Sequence, residues 1–152
     1  MAIKLKVNGA IRTMSNGKIK VGSSWRQAIE IYTKVSGQWR RGWKDNALAR
    51  NVSYEFTAYK SIEEKYDDMT SNGVTLENVS ITAYDSNGSI IKKETFDSTK
   101  SVSLNLFDNT GSNIAAVNIT PNTSKKTISY VVYFNSSLPK KIVITIKKIV
   151  AL

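Results

Sequence analysis

A stretch of fourteen residues that occurs three times in succession dominates the first part of the chain. The copies are IKLKVNGAIRTMSN (3–16), GKIKVGSSWRQAIE (17–30) and IYTKVSGQWRRGWK (31–44). Each copy has Lys, Val and Arg at the same positions, and a small or turn-forming pair follows the Val. The identical columns are Lys6/Lys20/Lys34, Val7/Val21/Val35 and Arg12/Arg26/Arg40. A repeat in such register means that one local structure is built three times.

Each copy has the pattern of a β-hairpin. An alternating run of polar and apolar residues leads into a two-residue turn, and a second alternating run follows it. The turns are Asn8-Gly9, Gly22-Ser23 and Ser36-Gly37. A hairpin this short cannot bury its own apolar face, so it must be covered by other copies, by the rest of the chain or by another subunit. The sequence therefore predicts that residues 1–44 form a meander of hairpins.

The repeat region is strongly basic and contains every tryptophan of the chain. The net charge is +10, and residues 1–50 account for +9 of it, from eleven basic and two acidic residues. A candidate interaction surface consists of Trp25, Arg26, Trp39, Arg40, Arg41, Trp43 and Lys44. These side chains either pack the small sheets together or form an exposed surface. An exposed surface of this kind suits bases and phosphates, sugars or a protein partner.

Residues 51–152 are predicted to form a second domain, after a connector at residues 45–50 in which a short helical turn is expected. Seven runs have strand character: 52–59, 75–84, 89–96, 101–107, 113–119, 127–134 and 141–150. Clusters of Gly, Asn, Asp, Ser or Pro separate them. About seven short strands in a hundred residues predict a β-sandwich of the immunoglobulin or fibronectin type III kind. The expected fold class is therefore all-β throughout.

One segment interrupts the strand pattern. Residues 61–69 read SIEEKYDDM, in which Ser61 and Glu64 form the capping box of a short helix. The pairs Glu63/Glu64 and Asp67/Asp68 would then share one helix face, because they are four residues apart. Such a face is either a Ca²⁺ site or acid pair, or simply a solvated loop or helix, and the spacing of a calcium loop is missing. We assign no metal, cofactor or catalytic residue.

The chain contains no cysteine and no histidine. Disulfides, thiolate ligands and cysteine nucleophiles are thereby excluded, together with imidazole-based zinc sites, triads and acid–base pairs. A structural or binding protein is predicted rather than an enzyme. No apolar run is long enough to cross a membrane, and the first residues lack the apolar region of a secretory signal. We expect folding in a cytoplasm and no membrane partner.

The segments KVGSSWRQA and KVSGQWRRGW resemble short repeats in tail and other virion proteins of bacteriophages. In those proteins, runs of the type Lys-Val-x-Gly-x-Trp-Arg recur at short intervals, often beside immunoglobulin-like or fibre domains. The residues that carry the resemblance are Lys20, Val21, Trp25, Arg26, Lys34, Val35, Gly37, Trp39 and Arg40. The first copy departs from the pattern with Ile11 at the Trp position, and the second has Gly22 one place early.

The resemblance implies a structural component of a virion, associated with the tail and assembled in the host cytoplasm. The repeats would dock to other virion proteins or to sister subunits of a homo-oligomer, and the sandwich would project and touch the host surface, including its glycans. Two alternatives stay open: a carbohydrate-binding module or adhesin, and a nucleic-acid-binding protein that uses the basic segment. Nucleic acid is the weaker of the two, because no known nucleic-acid-binding motif is present.

Overall fold

The computed structural model describes residues 3–7, 10–14, 18–21, 23–27, 30–44 and 46–152. It divides into two compact units, Met1–Asp45 and Asn46–Leu152. All regular structure in the described residues is β-strand, so the predicted all-β fold class is confirmed. The described part of the chain holds no helix that is long and apolar enough to cross a membrane.

The first unit consists of strands that pair two by two, one hairpin for each copy of the repeat. The strands are β1 (Ile3–Val7), β2 (Ala10–Met14), β3 (Lys18–Val21), β4 (Ser24–Gln27), β5 (Glu30–Val35) and β6 (Gln38–Lys44). Among the described residues, the antiparallel pairing stays within each copy. The predicted hairpins are confirmed, and they follow one another as three two-stranded sheets rather than as one continuous meander sheet.

The three hairpins share one register. The repeated Lys pairs with the residue before the repeated Arg, in Lys6↔Ile11, Lys20↔Trp25 and Lys34↔Trp39. In the third copy the turn residues Ser36 and Gly37 have φ angles of 51° and 81°. Positive φ at both positions is the type I′ geometry, which matches the twist of two paired strands. The repeated sequence therefore encodes the register of pairing as well as the position of the turn.

The second unit is an eight-stranded β-sandwich. Its strands are β7 (Ala47–Phe56), β8 (Lys60–Lys65), β9 (Val74–Tyr84), β10 (Ile90–Thr99), β11 (Val102–Phe107), β12 (Asn113–Asn122), β13 (Thr127–Phe134) and β14 (Lys141–Ala151). Sheet 1 has the order β10-β9-β14-β7, and sheet 2 has the order β11-β12-β13-β8. The predicted β-sandwich is confirmed. Its first two strands, β7 and β8, lie in different sheets. In an immunoglobulin constant domain, by contrast, the first two strands lie side by side in one sheet.

Two segments form strands where the sequence predicted something else. Ala47–Arg50, expected to form a helical turn, begins β7 and pairs with the end of β14. The predicted helix at residues 61–69 is also wrong, because Lys60–Lys65 forms β8 at the edge of sheet 2 and pairs with β13. Each segment gains ladder hydrogen bonds from a strand far away in sequence, and a local capping preference does not outweigh them.

The core lies between the two sheets and draws on both of them. Its largest fully buried side chains are Tyr130, Phe56, Met69, Leu76, Ile81, Leu106, Ile114, Ile119, Ile128, Ile142, Ile144 and Ile146. Burying one such side chain contributes about 1.5–3 kcal/mol relative to leaving it exposed. The alternating apolar positions of β9, β12, β13 and β14 are therefore the main source of the stability of this unit.

In sheet 1 the alternation of inward and outward side chains shifts by one residue at a row of positions that crosses all four strands. The row consists of Asp97, Asn78, Lys147 and Asn51, and each lies between paired positions without being paired itself. Asn51 and Asn78 have φ angles of 52° and 50°, a left-handed conformation that asparagine tolerates better than most residues. We call this the irregular row. Apolar side chains before and after this row in each strand therefore face the core, although the alternation is interrupted at the row itself.

A fragment that contains only residues 46–152 is expected to fold by itself. Among the residues whose burial the structure describes, the buried cluster lies within the second unit, between Phe56 and Ile149, and a unit with its own core can fold alone. Urea unfolding followed by far-UV circular dichroism should show a cooperative transition, and the near-UV signal of the tyrosines, which include the buried Tyr130, should be lost at the same midpoint. A gradual, non-cooperative loss of the β-sheet signal would contradict this. In the full chain, tryptophan fluorescence reports only on the repeats, because all Trp residues lie there.

Candidate functional site

Four connections of the sandwich meet at one of its ends. Successive strands run in opposite directions, so their connections alternate between the two ends. One end, which we call the loop end, holds the connections 57–59, 85–89, 108–112 and 135–140. The opposite end holds both termini of the unit, where the N–H of Ala151 donates to the carbonyl oxygen of Asn46 at 2.8 Å. Loops carried at one end of a rigid scaffold are a common place for binding residues.

The loop end also carries most of the large exposed apolar side chains of the described residues. The exposed fractions are 62% for Tyr59, 58% for Ile90, 46% for Phe107 and 44% for both Tyr133 and Leu138. All five lie in the loop-end connections or within two residues of them. Single exposed apolar residues need no explanation, but their concentration at one end is typical of an interaction surface.

Two of the loop-end connections are copies of the same turn. They read DSNGS (85–89) and DNTGS (108–112). In each loop, one carboxylate oxygen of the Asp accepts hydrogen bonds from the backbone N–H groups two and four residues further along. The distances are 2.8 and 2.9 Å in the first loop and 2.8 and 3.0 Å in the second. Positive φ angles of 78° at Gly88 and 83° at Gly111 close both loops. The backbone of each loop is therefore fixed by its own residues.

A cleft of about 540 Å³ lies between these two loops and the connection 135–140. Its lining brings together Asp85 and Asp108, the basic residue Lys140 and the serines Ser86, Ser112, Ser136 and Ser137. The exposed Leu138 adds apolar surface, and the buried Ile114 lies beneath the cleft. Apolar surface with a few converging polar groups is the usual composition of a small-molecule site. The cleft can therefore hold a polar ligand through hydrogen bonds.

The carboxylate of Asp108 accepts a further hydrogen bond, from the hydroxyl group of Thr110 at 2.6 Å. This bond and the backbone bonds of the loop favour the charged form, and they lower the pKa of Asp108 below its ordinary value. The cleft therefore keeps a negative charge at neutral pH, at a position that the loop backbone fixes.

We expect Asp108→Asn to lower stability at neutral pH and to remove part of the pH dependence of unfolding. Because folding lowers the pKa of Asp108, its ionised carboxylate stabilises the folded chain above the ordinary value of 3.8. That contribution is lost as the pH falls through the folded-state pKa. Urea midpoints measured from about pH 7 to about pH 2 should differ most at neutral pH and converge in acid. Asn109→Ala, in the same loop, should follow the wild-type profile, and a pH-independent difference for Asp108→Asn would contradict the prediction.

Tyr59 and Tyr133 form an aromatic pair beside the loop end. Their ring centroids are 5.1 Å apart, and the ring planes are tilted by 37°. Tyr133 occupies an outward position of β13, and Tyr59 immediately precedes β8. The next outward positions of the same row in sheet 2 are Ala116 and Asn105. The outer face of sheet 2 thus places two aromatic rings, a small side chain and an amide next to one another.

The predicted aromatic and basic surface lies on two strands of the repeat hairpins. Trp25 and Arg26 belong to β4, while Trp39, Arg40, Arg41, Trp43 and Lys44 belong to β6. The structure describes the backbone of these strands, and the side chains of these seven residues lie outside what it describes. Their grouping into one surface therefore stays a prediction.

The acidic residues of the segment 61–69 do not share the helix face predicted for them. Glu63 and Glu64 lie on opposite sides of β8, because side chains alternate along a strand, and Asp67 and Asp68 follow in a turn. Burial is the main cause that raises the pKa of Tyr54, and the nearby Glu64 carboxylate adds to it. Among the described residues, no three potential metal-ligating side chains come together.

Tyrosines from both sheets also meet in the core. The rings of Tyr54 and Tyr130 are 4.6 Å apart, and the hydroxyl oxygens of Tyr66 and Tyr130 are 3.4 Å apart. Burial is the main cause that raises the pKa of Tyr130 and of Tyr54 far above the ordinary value. The hydroxyl groups of Tyr54 and Tyr130 therefore stay protonated at neutral pH, and the contact between their rings joins the two sheets.

Comparison of the chain with protein-family models, with curated proteins and with solved structures found no match. The candidate site therefore depends on sequence and geometry alone. Both Asp-to-Gly segments are predicted from the sequence as turns, and their repetition as Asp-x-x-Gly-Ser is the signal by which two matching loops could also have been predicted. The tyrosine pair is not predicted from the sequence, although the alternation in β13 places Tyr133 opposite the buried positions.

Proposed function

We propose that the chain is a structural and adhesive component of a bacteriophage virion, associated with the tail, that acts by binding rather than by catalysis. The N-terminal repeats dock it to other virion proteins or to sister subunits of a homo-oligomer, during assembly in the host cytoplasm. The sandwich projects for assembly or for contact with the host surface. The observation that carries this proposal is the loop end, which combines exposed apolar side chains, two matching fixed loops and a cleft.

The repeat region supports the docking part of the proposal. Three hairpins of one register present equivalent strand positions three times. A two-stranded sheet cannot bury a face by itself, so each hairpin needs a covering surface. The repeated Lys and Arg columns favour a covering surface that carries acidic groups.

The arrangement of the sandwich supports the contact part. Its chain begins at Asn46, at the end opposite the loop end. A unit held through its first residue would direct its loops away from the point of attachment. Fixed loops lose little conformational entropy when they bind a partner, which favours affinity.

The decisive test asks whether the chain is part of a phage particle and where it lies. Antibody against the recombinant chain would label particles induced from a strain that carries the gene, viewed by electron microscopy, and mass spectrometry of purified particles would search for its peptides. We expect label at the tail and peptides in the particles. Particles from a strain in which the gene is deleted are the control. Absence of both label and peptides would refute the proposal.

A carbohydrate-binding module or adhesin that belongs to no virion is the second candidate, and the exposed Tyr59–Tyr133 pair favours it. In that case the isolated chain binds saccharides with little dependence on salt, and no particle contains it. A nucleic-acid-binding protein would instead lose affinity steeply as salt is raised, because counterions are released on binding. One salt titration of saccharide and DNA binding separates these two functions.

A further inference from the structure

We infer that the outer face of sheet 2 beside the loop end binds a neutral oligosaccharide, with Tyr59 and Tyr133 as its stacking platform. The inference rests on the proposed function and names a ligand class for the contact surface. Both rings are exposed, and yet they pack against each other at 5.1 Å. Each ring limits the movement of the other, while neither is needed to fill the core. Their apolar faces are therefore positioned for a ligand.

The chemistry of a sugar ring matches this pair. A pyranose presents C–H groups on its faces and hydroxyl groups around its edge. The face of a tyrosine ring is apolar and carries the negative part of the ring quadrupole, which attracts polarised C–H groups. The tyrosine hydroxyl both donates and accepts hydrogen bonds. Because the two rings are tilted by 37°, their exposed surfaces face different directions, and each can contact a different sugar ring of one oligosaccharide.

The same face supplies hydrogen-bonding groups for the sugar hydroxyls. Asn105 lies two strands from Tyr133, with Ala116 between them, which corresponds to about 10 Å. Because the Ala116 side chain is small, the surface is recessed between the Asn105 amide and the Tyr133 ring. Nearby, the amide nitrogen of Asn135 donates to the amide oxygen of Asn113 at 3.0 Å, and each amide keeps further hydrogen-bonding capacity. The surface is therefore wide enough for a short oligosaccharide.

The charge of this face selects a neutral ligand. The chain as a whole has a net charge of +10, but the outward row of Tyr59 and Tyr133 and the row next to it contain only Tyr, Ala, Asn, Ser and Val, and the adjoining pair toward the loop end is Phe107 and Asn113. The charged outward residues Glu63 and Lys65 lie toward the opposite end, and Lys60 alternates to the other side of β8. A nucleic acid or an anionic polysaccharide requires cations that neutralise its charge, and these two rows provide none.

The test measures saccharide binding by the full chain and its variants. An array of neutral oligosaccharides, with sialylated and sulfated ones for comparison, identifies the best ligand, and calorimetry gives its Kd. We expect Tyr59→Ala and Tyr133→Ala each to weaken binding by about tenfold or more, while both variants stay folded because neither side chain belongs to the core. Tyr133→Phe keeps the aromatic ring and should weaken saccharide binding less than Tyr133→Ala does. Ser103→Ala, on the same outer face, is the matched control and should bind like the wild type.

Several outcomes would overturn the inference. These are wild-type affinity in both alanine variants, no binding to any neutral oligosaccharide, or binding only to anionic glycans with an affinity that falls as salt is raised. The virion experiment is independent of this result. Labelled tails without saccharide binding would refute the inference and leave the proposed function standing. If the chain bound saccharides but no particle contained it, the proposed ligand class would be supported and the proposed role in a virion would be refuted.

Discussion

Replacing Ile144 by Ala is expected to lower the free energy of unfolding by about 4 kcal/mol. Ile144 is fully buried in β14, which lies between β9 and β7 in sheet 1. Its paired positions are Ile81 and Tyr54. The substitution removes the transfer free energy of the deleted carbons. It also leaves a cavity, because a central strand held by ladders on both sides cannot move inward to fill it.

Urea denaturation of the full chain, followed by far-UV circular dichroism, measures this effect. Ile144→Val keeps most of the side chain and should cost about 1 kcal/mol. Val143→Ala changes the adjacent residue, which lies on the outward side of the same strand, and should cost about 1 kcal/mol or less. A loss below about 1 kcal/mol for Ile144→Ala would mean that this position is not part of a close-packed core.

Replacing both asparagines of the irregular row by Val is expected to destabilise the chain by about 2–4 kcal/mol. Asn51 and Asn78 have φ angles near +50°, and a β-branched side chain is strongly disfavoured in that conformation. Each substitution must either accept the strain or move the backbone out of the left-handed region. The second route would turn apolar side chains such as Ile149 away from the core.

The control variants separate backbone strain from other effects of these substitutions. Asn51→Gly and Asn78→Gly accept positive φ without a steric cost and should stay close to wild-type stability. Ser53→Val and Ser80→Val place the same side chain on regular strand positions of the same outer face, where it should change stability by about 0.5 kcal/mol or less. If the double Val variant proved as stable as the double Gly variant in urea unfolding, the left-handed conformation of the row would be disproved.

The two units depend on different kinds of sequence information. In the repeats, the turn pair and the alternating runs are local, and their threefold recurrence gives the same register each time. In the sandwich, three ladders join consecutive strands, but the pairings β7–β14, β9–β14 and β8–β13 join strands that are far apart in sequence. The hairpins could therefore be predicted one by one, whereas the order of strands in the two sheets could not.

The interaction surfaces differ in the same way. The aromatic and basic residues around Trp25 and Trp39 are recognisable because they recur in a repeat. Tyr59 and Tyr133 have no common motif, and they meet only because β8 lies against β13. The cleft likewise forms only because three connections fall at the same end of the sandwich. A site built across strands has no signature in a single segment.

The sequence by itself determined the all-β class, the hairpin repeat with the turn Ser36-Gly37 of its third copy, and the strands whose apolar residues alternate, such as β13 and the first half of β14; the predicted turns Asn8-Gly9 and Gly22-Ser23 lie, in whole or in part, outside the described residues. The tertiary structure decided the rest. Lys60–Lys65 has one apolar residue and a helix-capping pattern, and it becomes an edge strand because β13 offers an unpaired ladder. The irregular row is visible in the sequence only as two polar residues between apolar ones, as in Ile146-Lys147-Lys148-Ile149. Local preferences amount to a few tenths of a kcal/mol per residue, whereas a ladder and a buried face add up over a whole strand, so the long-range contacts prevail.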